Sequence, residues 1–250
     1  MPLSGNEGRF DAYISTDGHG ETESVSWGDV SPIISKESFM NSRAVTTVFA
    51  TTVALLSIPA LVDAQARTFH VRDDGGSRVT FVSDAPLETM TGVSSRMTGE
   101  LSIDPNNVSA TRGTIRVPIS SLRTGIDLRD EHLRNDKWLD EKRFSHATFA
   151  ITSVSGPEKL QPNKDTKLKI QGDFTIHGVT RKVTATAKVR WVPLTEEMRK
   201  TPGITGDVVR GSASFSVRLT DYGITVPSIV RLKVANEIDV TVNLRAIAGK

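Results

Sequence analysis

Between residues 79 and 246, eight stretches alternate apolar and polar residues with a period of two, the signature of strands with one buried face. Val79 and Phe81 open the series. Val93, Ser95, Met97, Gly99, Leu101 and Ile103 share the next face, followed by Ile115, Val117 and Ile119. Ala147, Phe149 and Ile151 come next, then Leu168, Ile170, Gly172, Phe174 and Ile176. Val183, Ala185, Ala187, Val189 and Trp191 form a sixth set, and Gly211, Ala213, Phe215, Val217 and Leu219 a seventh. Ile238, Val240, Val242, Leu244 and Ala246 complete it. Eight antiparallel strands with one apolar face must stack as a sandwich or close as a barrel.

Turn residues separate the stretches: Asp104-Pro105-Asn106-Asn107, Ser155-Gly156-Pro157, Pro162-Asn163-Lys164-Asp165 and His177-Gly178-Val179-Thr180. Only two segments read as helical, Asp127 to Leu139 and a single capped turn at Thr195 to Met198. The inner faces carry many small residues: Ser95, Gly99, Ala147, Gly172, Ala185, Ala187, Gly211 and Ala213. Two readings stand side by side. Small residues fit tight sheet packing in a filled interior, and they equally leave room for an internal cavity. Phe81, Met97, Phe149, Phe174, Trp191 and Phe215 would wall such a cavity, with Leu101, Ile151, Val217 and Leu244 on the same faces.

The first part of the chain has a different character. Residues 1 to 39 are rich in Gly, Ser and acids and show neither helical nor strand periodicity, the composition of a disordered or extraneous extension. Met40-Asn41-Ser42-Arg43 then leads into the uncharged segment Ala44 to Val62, which ends in Asp63-Ala64-Gln65-Ala66. A short basic start, an apolar run and an Ala-x-Ala exit predict a secretory signal peptide over residues 40–66, with Met40 as the start of synthesis. Cleavage after Ala66 leaves one domain, residues 67–250, in the periplasm or medium. That domain has 28 basic and 21 acidic residues, a net charge of +7, against +2 for the whole chain.

Residue chemistry excludes more than it suggests. The chain has no cysteine, so thiolate nucleophiles, disulfides and thiolate metal sites are absent. Its five histidines, at 19, 70, 132, 146 and 177, show no metal-ligand spacing, and no nucleophile elbow or phosphate-cradling loop occurs. Charges are interspersed and exposed aromatic platforms are lacking, so nucleic acid is not an expected partner. The densest unusual segment runs from Leu122 to Arg134. It reads either as a mobile lid whose Arg129 and His132 meet a polar head group, or as a capped connection. In the second case Asp127 accepts backbone N–H bonds and Arg129 and Asp130 form solvated pairs.

Several motifs resemble the YceI-like family of exported lipid-binding proteins. They are Met97-Thr98-Gly99-Glu100-Leu101-Ser102-Ile103-Asp104, Leu122-Arg123-Thr124-Gly125 and Arg129-Asp130-Glu131-His132-Leu133-Arg134. Gly172 to Val183 and Asp221-Tyr222-Gly223-Ile224 continue the likeness in order. The chain departs from the family in the second strand, where Arg78 to Asp84 has no histidine, and at Trp138-Leu139-Asp140, where paired phenylalanines are common. The resemblance implies an extended, lipocalin-like, eight-stranded antiparallel barrel with one or two short helices in its connections. It implies a pocket for a long apolar ligand, a polyisoprenoid or quinone-type lipid, and no further cofactor. On that reading Phe81, Met97, Leu101, Phe149, Ile151, Phe174, Trp191, Phe215, Val217 and Leu244 hold the chain, and Arg129 and His132 meet its head. No catalytic or metal-binding residue is expected. The protein is expected to be a monomer or homodimer that touches the envelope membrane transiently. Rival readings are a hydrolase or isomerase using His132 with Asp130, and a fully packed structural or stress-response envelope protein.

Overall fold

A computed structural model describes residues 66–249. The extension over residues 1–39 and nearly all of the signal segment, residues 40–66, lie outside the described residues. Ten strands occur among them: β1 (Arg67–Val71), β2 (Arg78–Ala85), β3 (Glu88–Ser94), β4 (Thr98–Asp104), β5 (Asn107–Pro118), β6 (His146–Ser155), β7 (Asp165–Ile176), β8 (Val179–Val192), β9 (Val208–Arg218) and β10 (Glu237–Ala248). All are antiparallel to their neighbours. β1 and β4 to β10 close into a ring of eight, with β1 hydrogen-bonded to both β4 and β10. Closure removes the two free edges that an open sheet would present.

β2 and β3 lie outside that ring. β2 pairs with Ile238–Asn243 of β10, and β1 takes Ala246–Ala248 of the same edge, so the two strands follow one another along it. The six residues between them, 72 to 77, form the break. β3 and β4 are interrupted at Ser95–Met97 in the same manner. The sequence pattern ran Val93 to Ile103 as one strand with Val93 and Ser95 inward. In the structure the break slips the phase: Met90, Gly92 and Ser94 are buried on β3, and Met97, Leu101 and Ile103 afterwards. Buried Ser94 has partners: its Oγ lies 2.7 Å from the Ser121 hydroxyl and accepts the Arg96 N–H at 3.0 Å.

Because β3 peels away from the ring, the connection after β5 crosses that gap. Val93 and Arg123 exchange both backbone hydrogen bonds, at 2.8 and 2.9 Å. Helix α1 (Asp127–Arg134) follows directly and ends at Asn135, well short of Leu139. A second helix, α2 (Glu196–Arg199), has Thr195 as its N-cap, whose hydroxyl accepts the Met198 N–H at 3.2 Å.

The β7–β8 hairpin shows how local chemistry sets register. Ile176 pairs with Val179, leaving a two-residue turn, His177-Gly178, with both residues at positive φ (53° and 73°). Such turns match strand twist and favour Gly at the second position. A Cβ on Gly178 would also sit 2.3 Å from the Phe144 ring. Gly178→Ala is therefore expected to lower the unfolding free energy by about 1–3 kcal/mol. Urea unfolding at neutral pH measures it, and an unchanged midpoint would contradict the turn argument.

Candidate ligand cavity

Strands β4 to β10, joined by Val79 and Phe81 of β2 and Met90 of β3, line a cavity of about 420 Å³, within the range of roughly 300–1,000 Å³ usual for small-molecule sites. On β7 its wall runs from Leu168 through Ile170 and Phe174 to Ile176. Eight residue-to-residue steps of ~3.3 Å make that wall about 26 Å long. The interior is therefore not fully packed.

Small residues divide into two groups. Ala147, Ala185, Ala187, Gly211 and Ala213 line the lumen and give it width. Gly99 and Gly172 instead admit a neighbour: a Cβ would lie 2.5 Å from the Thr114 carbonyl oxygen in one case and 2.5 Å from the Phe149 ring in the other. Four aromatic rings follow one another along the wall, Phe149 tilted against Phe215, Phe215 T-shaped to Phe174 and Phe174 T-shaped to Tyr222, with centroids 5.3–5.7 Å apart.

One end is closed. Val108, Val154, Leu160, Leu168 and Val209 are buried there, and the β6–β7 loop is pinned by hydrogen bonds from Leu160 N–H to the Pro105 carbonyl and from Val108 N–H to the Glu158 carbonyl. At the other end the lining reaches the surface, where His132 is exposed and Arg129, Leu133, Trp138, Val230 and Val234 are half-buried. Of the twelve residues anticipated around a ligand, eleven line this cavity, from Phe81, Met97, Leu101, Phe149 and Ile151 through Phe174, Phe215, Val217 and Leu244 to Arg129 and His132. Trp191 does not. It packs past the closed end, where its Nε1 donates to Asp207 at 2.9 Å and its carbonyl accepts the Asn163 N–H. Tyr222, Trp138, Leu139, Leu160, Ile224, Val230 and Val234 also line it, and sequence reasoning placed none of them there, because they stand on connections without alternation.

The segment from Leu122 to Arg134 is tied down on both sides. Asp130, 3% exposed, accepts from the Thr124 N–H at 2.7 Å and the Thr124 hydroxyl at 2.6 Å through Oδ1. Arg129 donates to the Thr124 hydroxyl and carbonyl and to Glu88 on β3, at 2.9–3.0 Å. Asp130 is thus buried rather than solvated, and the carboxylate that Arg129 meets is Glu88. Ile126, not Asp127, occupies the N-cap, and its side chain makes no capping hydrogen bond. His132 stands two residues from Asp130, and such positions on a helix do not face each other. The acid–base pair of the enzyme reading is therefore not assembled. Among the described residues no cluster of three or more potential ligands could hold a metal ion.

Burial alone would raise the Asp130 carboxyl, but the Thr124 donors and the charges of Arg134 and Arg123 outweigh it, so its pKa lies below 3.8. A depressed folded pKa means that ionised Asp130 stabilises the fold above about pH 4, and that this is lost as pH falls through the folded value. Asp130→Asn should therefore destabilise the protein at pH 7, and the gap from the parent should shrink in acid. Equal gaps at both pH values, by urea unfolding, would contradict it.

Tyr222 is 2% exposed and its hydroxyl meets no partner among the described residues. Burial, helped by the Asp221 charge and opposed by Arg181, pushes its pKa up to about 12. An unpaired buried hydroxyl costs about 1–3 kcal/mol. Tyr222→Phe should accordingly raise the stability of the lipid-free protein by about 1 kcal/mol. Thermal unfolding of the stripped protein reads this, and a loss of stability would show that the hydroxyl has a partner.

The YceI-like domain profile matches residues 71–246, most of the barrel. The chain belongs to the YceI-like family. It is 30% identical over 143 residues to a UPF0312 protein of Vibrio vulnificus, covering 57% of this chain and 72% of that one. Its fold is similar to that of BcnA from Burkholderia cenocepacia, with a TM-score of 0.55 at 16% identity, over 70% of this chain and 98% of that one. A polyisoprenoid-binding domain from Saccharophagus degradans, implicated in plant cell wall breakdown, matches with a TM-score of 0.55 at 18% identity, over 74% and 99%.

Proposed function

We propose that this YceI-like protein is an exported carrier that sequesters one long apolar lipid, a polyisoprenoid or quinone-type molecule, in its barrel. The observation that carries the reading is the elongated apolar cavity, closed at one end and open beside Arg129 and His132 at the other. The likeness to a polyisoprenoid-binding domain supports the same ligand class. Burial of a chain contributes about 0.8 kcal/mol per CH₂, so length rather than polar contact would dominate affinity. Arg129 keeps part of its donor set free after its three hydrogen bonds and, with His132, would orient a polar head at the mouth. No catalytic step is required.

The apolar segment Ala44–Val62 and its Ala-x-Ala exit support export. Ala66 directly precedes β1, so cleavage after it would leave the closing strand whole. A periplasmic or secreted carrier of this kind would collect and release its ligand through a transient contact with the envelope membrane.

Extraction of the native purified protein with organic solvent, followed by mass spectrometry, is expected to yield a lipid with a long apolar chain. Gly211→Leu supplies the complementary test. Gly211 lines the cavity, and a Cβ there would meet only ordinary contacts, the nearest being Val189 Cγ2 at 3.6 Å. The larger side chain should keep the circular dichroism spectrum and weaken binding of an apolar fluorescent probe by at least about tenfold. Recovery of no lipid, together with full probe binding by the variant, would overturn the carrier reading.

A further inference from the structure

Five large apolar side chains remain more than half exposed among the described residues: Leu87, Ile126, Leu128, Ile229 and Leu232. They come from three distant parts of the chain, the β2–β3 turn, the start of α1 and the 228–234 segment, yet the fold gathers them. The Leu87 N–H donates to the Leu232 carbonyl at 2.8 Å, and Arg129 on α1 reaches Glu88 at 2.9 Å. The patch therefore surrounds Leu87 and Glu88.

It is also continuous with the cavity mouth. In the 228–234 segment, Val230 and Val234 line the cavity while Ile229 and Leu232 face solvent. On α1, Arg129, His132 and Leu133 line it while Leu128 faces out. Each segment thus turns one side to the lumen and the other to the exterior at the same opening. No large apolar side chain is comparably exposed at the closed end among the described residues.

We infer that this rim is a docking face for a lipid bilayer, with Leu87, Ile126, Leu128, Ile229 and Leu232 entering the interfacial layer and the mouth facing the acyl chains. The inference rests on the carrier reading, since an apolar ligand with negligible solubility in water needs a dry path between bilayer and lumen. The charges of the rim favour a bilayer held by apolar insertion rather than by attraction to anionic lipid. Arg231 and Lys233 flank Leu232, while Asp127 precedes Leu128, Glu131 lies one helical turn beyond it and Arg129 is paired with Glu88, so the two signs nearly offset. Association should accordingly occur on neutral vesicles and change little with salt, unlike surface attraction to charged lipid, which salt screens.

The absence of cysteine makes the test site-specific. Ile229→Cys in the full chain, labelled with an environment-sensitive fluorophore, is mixed with phosphatidylcholine vesicles. Glu158→Cys, exposed on the closed-end loop, is the control. The rim label is expected to shift to the blue and to be quenched by brominated lipid, at low and high salt alike, while the control label does not respond. Leu128→Ser with Leu232→Ser, in the Ile229→Cys background, should weaken that response at least about tenfold and leave apolar probe binding unchanged. A silent rim label, or equal responses at both positions, would overturn the docking face. A blue-shifted signal without vesicles that grows with protein concentration would overturn it too, by assigning the patch to a second copy of the chain. Apolar probe binding is read on the same samples, so loss of docking with intact binding sinks only this inference, and loss of binding sinks the carrier reading.

Discussion

Ring closure by β1 is the constraint on which the rest of the structure depends. Five residues, Arg67 to Val71, hydrogen-bond to β4 on one side and β10 on the other, converting an open antiparallel sheet into a tube. Once the tube is closed, every second side chain must point into a space of limited width. The lumen is then set by which of those side chains are small. Ala185, Ala187, Gly211 and Ala213 on the adjacent β8 and β9 leave it open, and the Phe149, Phe215 and Phe174 rings shape its wall.

The two ends differ because the chain interrupts its own strands. Breaks at residues 72–77 and 95–97 let β2 and β3 leave the ring, and the gap is filled by the Leu122–Arg134 connection. That connection brings polar groups to an apolar tube. Asp130 and Thr124 satisfy each other at its base, and the Arg129–Glu88 pair ties it to β3. The closed end has its own polar lock, in which Asp207 accepts from Trp191, Arg67 and the Leu194 N–H. Buried carboxylates at both ends therefore have donors, and the middle of the barrel stays apolar.

Alternation made β5 through β10 legible, because the face of a residue in a regular strand follows from its parity. It failed where parity slipped. Ser95 was read as inward, yet Ser94 is the buried residue, since the break before Met97 resets the count. β1 escaped notice because five residues with two inward side chains, Phe69 and Val71, make too short a pattern. Trp191 has the right parity but stands past the closed end, and parity carries no information on depth. Tyr222, Leu160 and Val230 come from loops and short turns, where no period exists to follow.

The amino-acid sequence by itself determined an all-β domain of eight strand positions, the inner face of most strands and the family to which the chain belongs. These follow from local alternation and ordered motifs, which need no knowledge of distant partners. Only the tertiary structure decided that the interior is hollow, which end is open and which loops line it. Those properties depend on how far apart opposite walls stand and on which breaks coincide in space, and neither is encoded within a single stretch of chain.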